Sequence, residues 1–418
     1  MGELSELLER ENVAVIVESN VDKQHMYDPE ANRQEGQWLA NLVFGDKTFR
    51  GRKPILKINT VGEPRKDNEP IRDELRGMAT NFLAFPGILD VVSQLAEGGY
   101  VVDGVNRPQG NTFAEWGIYE MMKPFKNLQL IDLTWPEDSG YFNTVEIDGI
   151  VHPKIPLCRP VGDEGTFYVR ISAPKAHNLP GISANVKNSQ GAMRMAVRCF
   201  CEILGPPPEK FLDQKLRSPF AEFYRYADEG DNWLVDVRRL HEQHVRDGLP
   251  YWNMAQDGQP YRLEMWSQRI FDLTAALKKI YGDNMLNVIL GPIGRDGSGF
   301  QNTGKDVYFP WHIISRDASL GDGVLALMTG NEDVGFLKVG YERGIGIPPE
   351  KAELFLYKGG KCEPTSVAEL KAKRVLLEVC PFFKYEDRSL RVRHSREFID
   401  ANIGEHPEYR QIIESVPN

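Results

Sequence analysis

Between residues 55 and 133, apolar strand-like runs alternate with helical ones, and no other feature of the chain restricts its fold as much. Residues 55–61 read as a buried strand that ends in Gly62-Glu63-Pro64. A helical run covers residues 71–85 and is expected to break at Pro86. Residues 88–96 are amphipathic and close at Gly98-Gly99. Residues 100–105 are the next strand. Thr112 with Glu115 has the pattern of a capping box, opening a helix that runs to about Met122, and residues 128–133 form another strand. Strands separated by helices at this spacing predict a parallel sheet with crossover helices.

The rest of the chain extends this pattern. Residues 13–17 and 167–172 read as strands, and residues 143–151 as a β-hairpin with Asp148-Gly149 at its turn. Residues 190–282 are mostly helical. A second α/β block follows, with strands at 285–290, 307–309, 312–315, 353–357 and 374–379 and a helix at 318–328. The expected architecture is therefore α/β: two Rossmann-like lobes with mostly parallel sheets, covering residues 1–205 (with the hairpin as an insertion) and 283–418, and a helical segment at 206–282 between them.

Composition narrows the function classes. A net charge of -10 with scattered Lys and Arg gives no basic stripe, which excludes nucleic acid as an expected partner. No apolar run approaches the ~20 residues of a membrane helix, and the N-terminus has no signal-peptide pattern, so no membrane role is expected. The 5 cysteines lack CxxC spacing, which argues for a reducing, cytoplasmic setting and against zinc ribbons or an intrinsic iron–sulfur cluster.

The densest chemistry lies in Lys175-Ala176-His177-Asn178, Gly181, Lys187-Asn188 and Gly191. It follows a strand and precedes a helical run, the position where α/β folds place ligands. Lys175 and Lys187 can hold an anion or form an imine, His177 can carry a proton, and Asn178 and Asn188 can orient a substrate. A second candidate is the Gly-rich stretch Gly294-Arg295-Asp296-Gly297-Ser298-Gly299, whose backbone N–H groups and Arg295 can bind an anion, although its spacing is neither a Rossmann fingerprint nor a P-loop. A third is His312, Asp317 and Asp322, which can hold a divalent metal ion. Asp317 alone also fits an N-cap for the helix beginning at Ala318. His241 and His244 share a helix face, which is expected to be solvated.

Taken together, these blocks resemble the domain-of-unknown-function 362 family over roughly residues 50–350. The family's strand, Lys-Thr-His, glycine and Lys-Asn signature is matched by Lys175-Ala176-His177, Gly181 and Lys187-Asn188, with Ala176 in place of threonine. Its second block is matched by the loop from Gly294 to Gly304, the strand at His312, Asp317, Asp322 and Gly344-Ile345-Gly346. Its early Lys-Pro-Asn is partly kept as Lys57-Ile58-Asn59, and the strand ending Asp103-Gly104 also fits. Some members carry ferredoxin-like cysteine clusters, a spacing absent here. The stretch His177, Gly181, Ser183, Lys187 is also similar to a segment of the nickel-pincer lactate racemases. That likeness implies a cofactor-tethering role for Lys187 and proton transfer by His177. Those enzymes use a later histidine as nickel ligand, and this chain has no histidine between Lys187 and Asp231.

The combined expectation is an enzyme acting on a small anionic carboxylate metabolite by acid–base or metal-assisted chemistry. Its site would lie in an interlobe cleft, with His177, Lys187 and Lys175 as catalytic groups. The residues leave open isomerase, lyase or oxidoreductase chemistry and the oligomeric state. They also leave open a redox protein served by an external iron–sulfur or metal centre, and an anion-binding protein without turnover.

Overall fold

The computed structural model describes residues 2–45, 48–62, 64, 70–105, 112–134, 142–177, 180–193, 239–240, 243–244, 262–297, 299, 304–332 and 334–379. In chain order its strands are β1 Val13–Glu18, β2 Lys53–Lys57, β3 Gly99–Asp103, β4 Leu128–Asp132, β5 Phe142–Glu146, β6 Lys154–Cys158, β7 Thr166–Ser172 and β8 Lys175–His177. They continue as β9 Gly181–Ser183, β10 Met285–Ile289, β11 Ile293–Arg295, β12 Asp306–Tyr308, β13 Trp311–Ser315, β14 Glu353–Lys358 and β15 Lys361–Thr365.

Nine strands form one sheet in the order β15-β14-β1-β13-β10-β7-β2-β3-β4. Only β13 and β15 run against the others, so the sheet is mostly parallel. Strands from both expected lobes share this sheet: β1 lies between β13 and β14, and β10 pairs with β7. Two separate lobe sheets are therefore not what the strands build. Sequence order cannot reveal this, because the pairings that join the two blocks are long-range.

Period-2 alternation splits the apolar side chains between two cores. Ala14, Ile16 and Tyr168 face one, while Val13, Val15, Val17, Phe167 and Val169 face the other. Helices Pro29–Val43 and Phe85–Leu95 cover the second face through Leu39, Val43, Ile88 and Leu89. Helices Arg262–Tyr281, Ala318–Thr329 and Gly335–Glu342 cover the first through Trp266, Ile270, Leu320, Val324 and Phe336. The result is a three-layer α/β/α stack. No described helix is long and apolar enough to cross a membrane.

Several local expectations change. The long helix at 71–85 is instead a 3-10 helix, Asp73–Met78, followed by extended Ala79. Thr80 then exchanges hydrogen bonds with Asn59, its N–H donating to the Asn59 carbonyl at 2.9 Å and its hydroxyl accepting the Asn59 N–H at 2.9 Å. Pro86 starts a helix where it was expected to end one, because the first helical turn needs no N–H from it. The helix from Thr112 is interrupted at Gly117, which sits at φ 70. The hairpin exists as β5–β6, but residues 147–153 form its loop, where Asp272 accepts the N–H groups of Ile150, Val151 and His152 at 2.9, 2.8 and 2.9 Å. Residues 374–379 supply only a bridge, from Val379 to Gly297. The 206–282 segment is described mainly by the helix Arg262–Tyr281.

Candidate functional site

β7 and β10 are parallel neighbours in the large sheet, and both chains run on past its carboxyl edge. After Ala173-Pro174 comes β8, and after Gly291-Pro292 comes β11. These extensions pair with each other, with Lys175 opposite Arg295, and build a small sheet β12-β11-β8-β9. The stretch singled out in the sequence thus stands at the carboxyl ends of parallel strands, the usual ligand side of such sheets.

Lys57 ends β2 and Asp103 ends the adjacent β3. The Lys57 ammonium donates to the Asp103 carboxylate at 2.5 Å, to the Ile58 carbonyl at 2.7 Å and to the Asn188 side-chain oxygen at 2.9 Å. The other Asp103 oxygen accepts the Thr60 N–H at 2.6 Å and the Thr60 hydroxyl at 2.7 Å. Gly191 closes over this pair. A Cβ there would lie 2.5 Å from the Gly104 carbonyl and 3.0 Å from both the Asp103 carboxylate and the Lys57 nitrogen, so only glycine fits. Lys57 and Asp103 were not among the expected site residues. Their sequence signal was the charged residue at the end of each apolar run.

Lys175 is 2% exposed, and its ammonium donates to the Met78 carbonyl at 2.7 Å. Arg295, opposite it, donates to the Glu74 carbonyl at 2.7 Å, so both cations reach the same 3-10 helix. Among the described residues Lys175 has no carboxylate partner at ion-pair distance. Burial, reinforced by the neighbouring Lys187, lowers its pKa to about 7, and Arg295 and Lys57 push the same way against Asp103. His177 is buried two residues on. Burial, then Lys187 and Lys175, hold its imidazole well below the usual range, so it is neutral at pH 7. The Lys187 ammonium lies 5.3 Å from the centre of the Trp266 ring, a cation–π contact at the half-exposed edge of the cluster. Asn178 lies outside the described residues.

Other expected residues are engaged in contacts within the fold. The amide of Asn188 donates to the Lys57 carbonyl at 3.2 Å and to the Ser172 hydroxyl at 3.1 Å. It fastens the short helix Asn185–Asn188 onto the sheet. Gly294 pairs with Val307 in the β11–β12 ladder, and the Gly297 N–H donates to the Glu378 carbonyl at 2.7 Å. Gly299, at φ +80, allows the loop to pass Ala176, whose carbonyl would lie 1.9 Å from a Cβ there. Arg295 also pairs with Asp306 at 3.0 Å and donates to the Gly304 carbonyl at 3.2 Å. The described part of the Gly-rich loop is therefore tied into the small sheet's framework.

The expected metal set does not assemble. His312 lies on the β13 face opposite Ile313 and bonds Glu35 at 2.8 Å, against the helix Pro29–Val43. Burial pushes Glu35 up, but His312 and Asn20 outweigh it and hold the carboxyl below its ordinary range. Asp317 and Asp322 belong to the other side, where Ala318–Thr329 packs. Asp317 is the N-cap, accepting the Leu320 N–H at 2.8 Å and facing Lys278 at 3.2 Å. Asp322 accepts the N–H groups of Asn185 and Val186 at 2.8 and 3.0 Å, and burial raises it to about 7. His312 thus faces the Pro29–Val43 side of the sheet, whereas the two aspartates belong to the start and first turns of Ala318–Thr329 on the other side. Among the described residues no three His, Cys, Asp or Glu side chains come together as a metal site. His244 is buried between Glu264 at 2.6 Å and Glu342 at 2.7 Å, not on a solvated face, and His241 lies outside the described residues.

The described site is therefore a cluster in which Lys57, Lys187 and Arg295 act on Lys175, with neutral His177 beside Lys175 and Lys187 and with Asp103 and Asp306 as counter-charges of Lys57 and Arg295. Such a cluster can bind an anion and move a proton beside it. No family model, curated protein or solved structure matches the chain.

Proposed function

We propose that the protein is an enzyme that binds a small carboxylate at the carboxyl ends of β2, β3 and β7 and moves a proton on it. Lys187 and Lys175 hold the anion, and neutral His177 accepts and returns the proton. One observation carries this reading: Lys175 is a buried ammonium whose acceptor among the described residues is a carbonyl, set among further cations. An unpaired buried charge is costly, and an incoming carboxylate would compensate it. Membership of the domain-of-unknown-function 362 family and a distant kinship with the nickel-pincer racemases belong to the same proposal, as does a cytoplasmic setting. The two kinships are supported by the motif around Lys175-Ala176-His177 and Lys187-Asn188, and the setting by 5 cysteines without CxxC spacing. Among the described residues no donor set around Lys187 fits a nickel centre, and the proposal places no step on a metal.

The test combines binding with exchange. Lactate and 3-hydroxybutyrate should raise the thermal midpoint, whereas the matching neutral alcohols should not. Lys187→Gln should weaken carboxylate binding by about tenfold, the loss of one charge-assisted contact. In deuterated water the carbon next to a bound carboxylate should exchange its hydrogen, and His177→Gln should bind but not exchange. Binding without exchange in the unaltered protein would leave an anion-binding protein without turnover. Absence of binding would overturn the proposal.

A further inference from the structure

A lysine becomes nucleophilic when it is desolvated and placed beside other cations, because both effects favour the neutral amine. Lys175 meets both conditions through its position. It is buried and stands opposite Arg295 across the β8–β11 pair. Its acceptor among the described residues is the Met78 carbonyl, and a carbonyl, unlike a carboxylate, does not fix the proton on nitrogen. Lys187 and Lys57 lie close enough to push against its charge, and Lys187 is half-exposed, where an anion can reach it.

We propose that Lys175 captures the carbonyl of a small 2-oxo carboxylate as an imine, with the carboxylate held by the surrounding cations. The inference rests on the carboxylate reading above and names its substrate class. The neutral amine attacks the carbonyl carbon, a C–N bond forms, and the π pair moves to oxygen. One amine proton moves to that oxygen and gives the carbinolamine. The hydroxyl then leaves with the second amine proton as water, and the C=N bond closes. No oxidant or other reactant is consumed. His177, neutral and two residues along the same strand, is placed to relay protons between nitrogen and oxygen.

The test is borohydride trapping of the full-length protein with pyruvate, followed by peptide mapping. The expected product is a carboxyethyl group on Lys175, formed in preference to surface lysines and suppressed by excess lactate. Because the amine is half neutral near pH 7, labelling should be about tenfold greater at about pH 8 than at about pH 6. Lys175→Arg keeps the charge and should lose the adduct. Mapping of the unaltered protein decides the question even if that variant does not fold. Adducts on Lys187 or on surface lysines alone would overturn the assignment. If lactate stabilises the protein but Lys175 is never labelled, the imine falls and the carboxylate site stands. If neither occurs, both fall.

Discussion

Lys57 and Asp103 form an ion pair of 2.5 Å across the carboxyl ends of two neighbouring parallel strands, with side chains only 1% and 5% exposed. Asp103 is the counter-charge of Lys57, as Asp306 is of Arg295, and it also carries Thr60. Replacing it by Asn or Leu leaves the Lys57 charge buried without its partner. The cost should be about 3–5 kcal/mol, read as a lowered urea midpoint. The double variant Lys57→Met/Asp103→Leu should recover much of that loss. A single variant within about 0.5 kcal/mol of the parent would show that the pair is not an obligate charge balance.

The Lys175 shift sets a pH dependence of definite sign. Its folded pKa is near 7 and its ordinary value is 10.5, so between these values the unfolded chain binds more protons than the folded one. Stability from this group therefore rises with pH across the window, and the penalty of burying the charge is fully present below it. Lys175→Met removes that titration. Denaturation of both proteins from pH 6 to pH 10 should show the parent gaining on the variant as pH rises. Parallel curves would mean that Lys175 keeps an ordinary pKa in the folded protein.

Gly191→Ala tests how tightly the segment after Lys187 closes on the ion pair. The added carbon meets a fixed backbone carbonyl at 2.5 Å, so relief requires the segment to lift from the sheet. The expected cost is about 1–3 kcal/mol, with weaker carboxylate binding in the same variant. An unaltered midpoint with unaltered binding would contradict the packing described.

Asp317→Ala separates a capping role from a ligand role. Loss of the bond to the Leu320 N–H should cost about 1 kcal/mol of stability. Burial raises Asp317 against the opposing pull of Lys278, so part of this cost should fade at high pH, where the carboxylate is fully charged. Carboxylate binding at the Lys175 cluster should not change. A variant that keeps its stability but loses ligand affinity would return Asp317 to the site.

What was legible in the sequence is local. Apolar runs bounded by turns located β1, β7, β10, β13 and β14, and the charge-dense stretch after β7 located the ends of the parallel strands. Asp317 showed as a cap because capping is decided within three residues. Sequence alone could not show that Asn188 would be spent on Lys57 and Ser172, or that Gly294 and Gly297 would be tied into pairings with Val307 and Glu378. Those partners lie beyond the few residues over which local propensity acts, and Lys57 lies 131 residues from Asn188.

By itself, then, the sequence determined the α/β class, most strand positions and the neighbourhood of Lys175, His177 and Lys187, because propensity, periodicity and turn chemistry act over a few residues. Tertiary structure decided that both halves share one sheet, that His312 lies on the opposite side of that sheet from Asp317 and Asp322, and that Lys57, Asp103 and Arg295 gather around Lys175. Such pairings join residues up to hundreds of positions apart, and only the packing of the sheet's two cores selects among them.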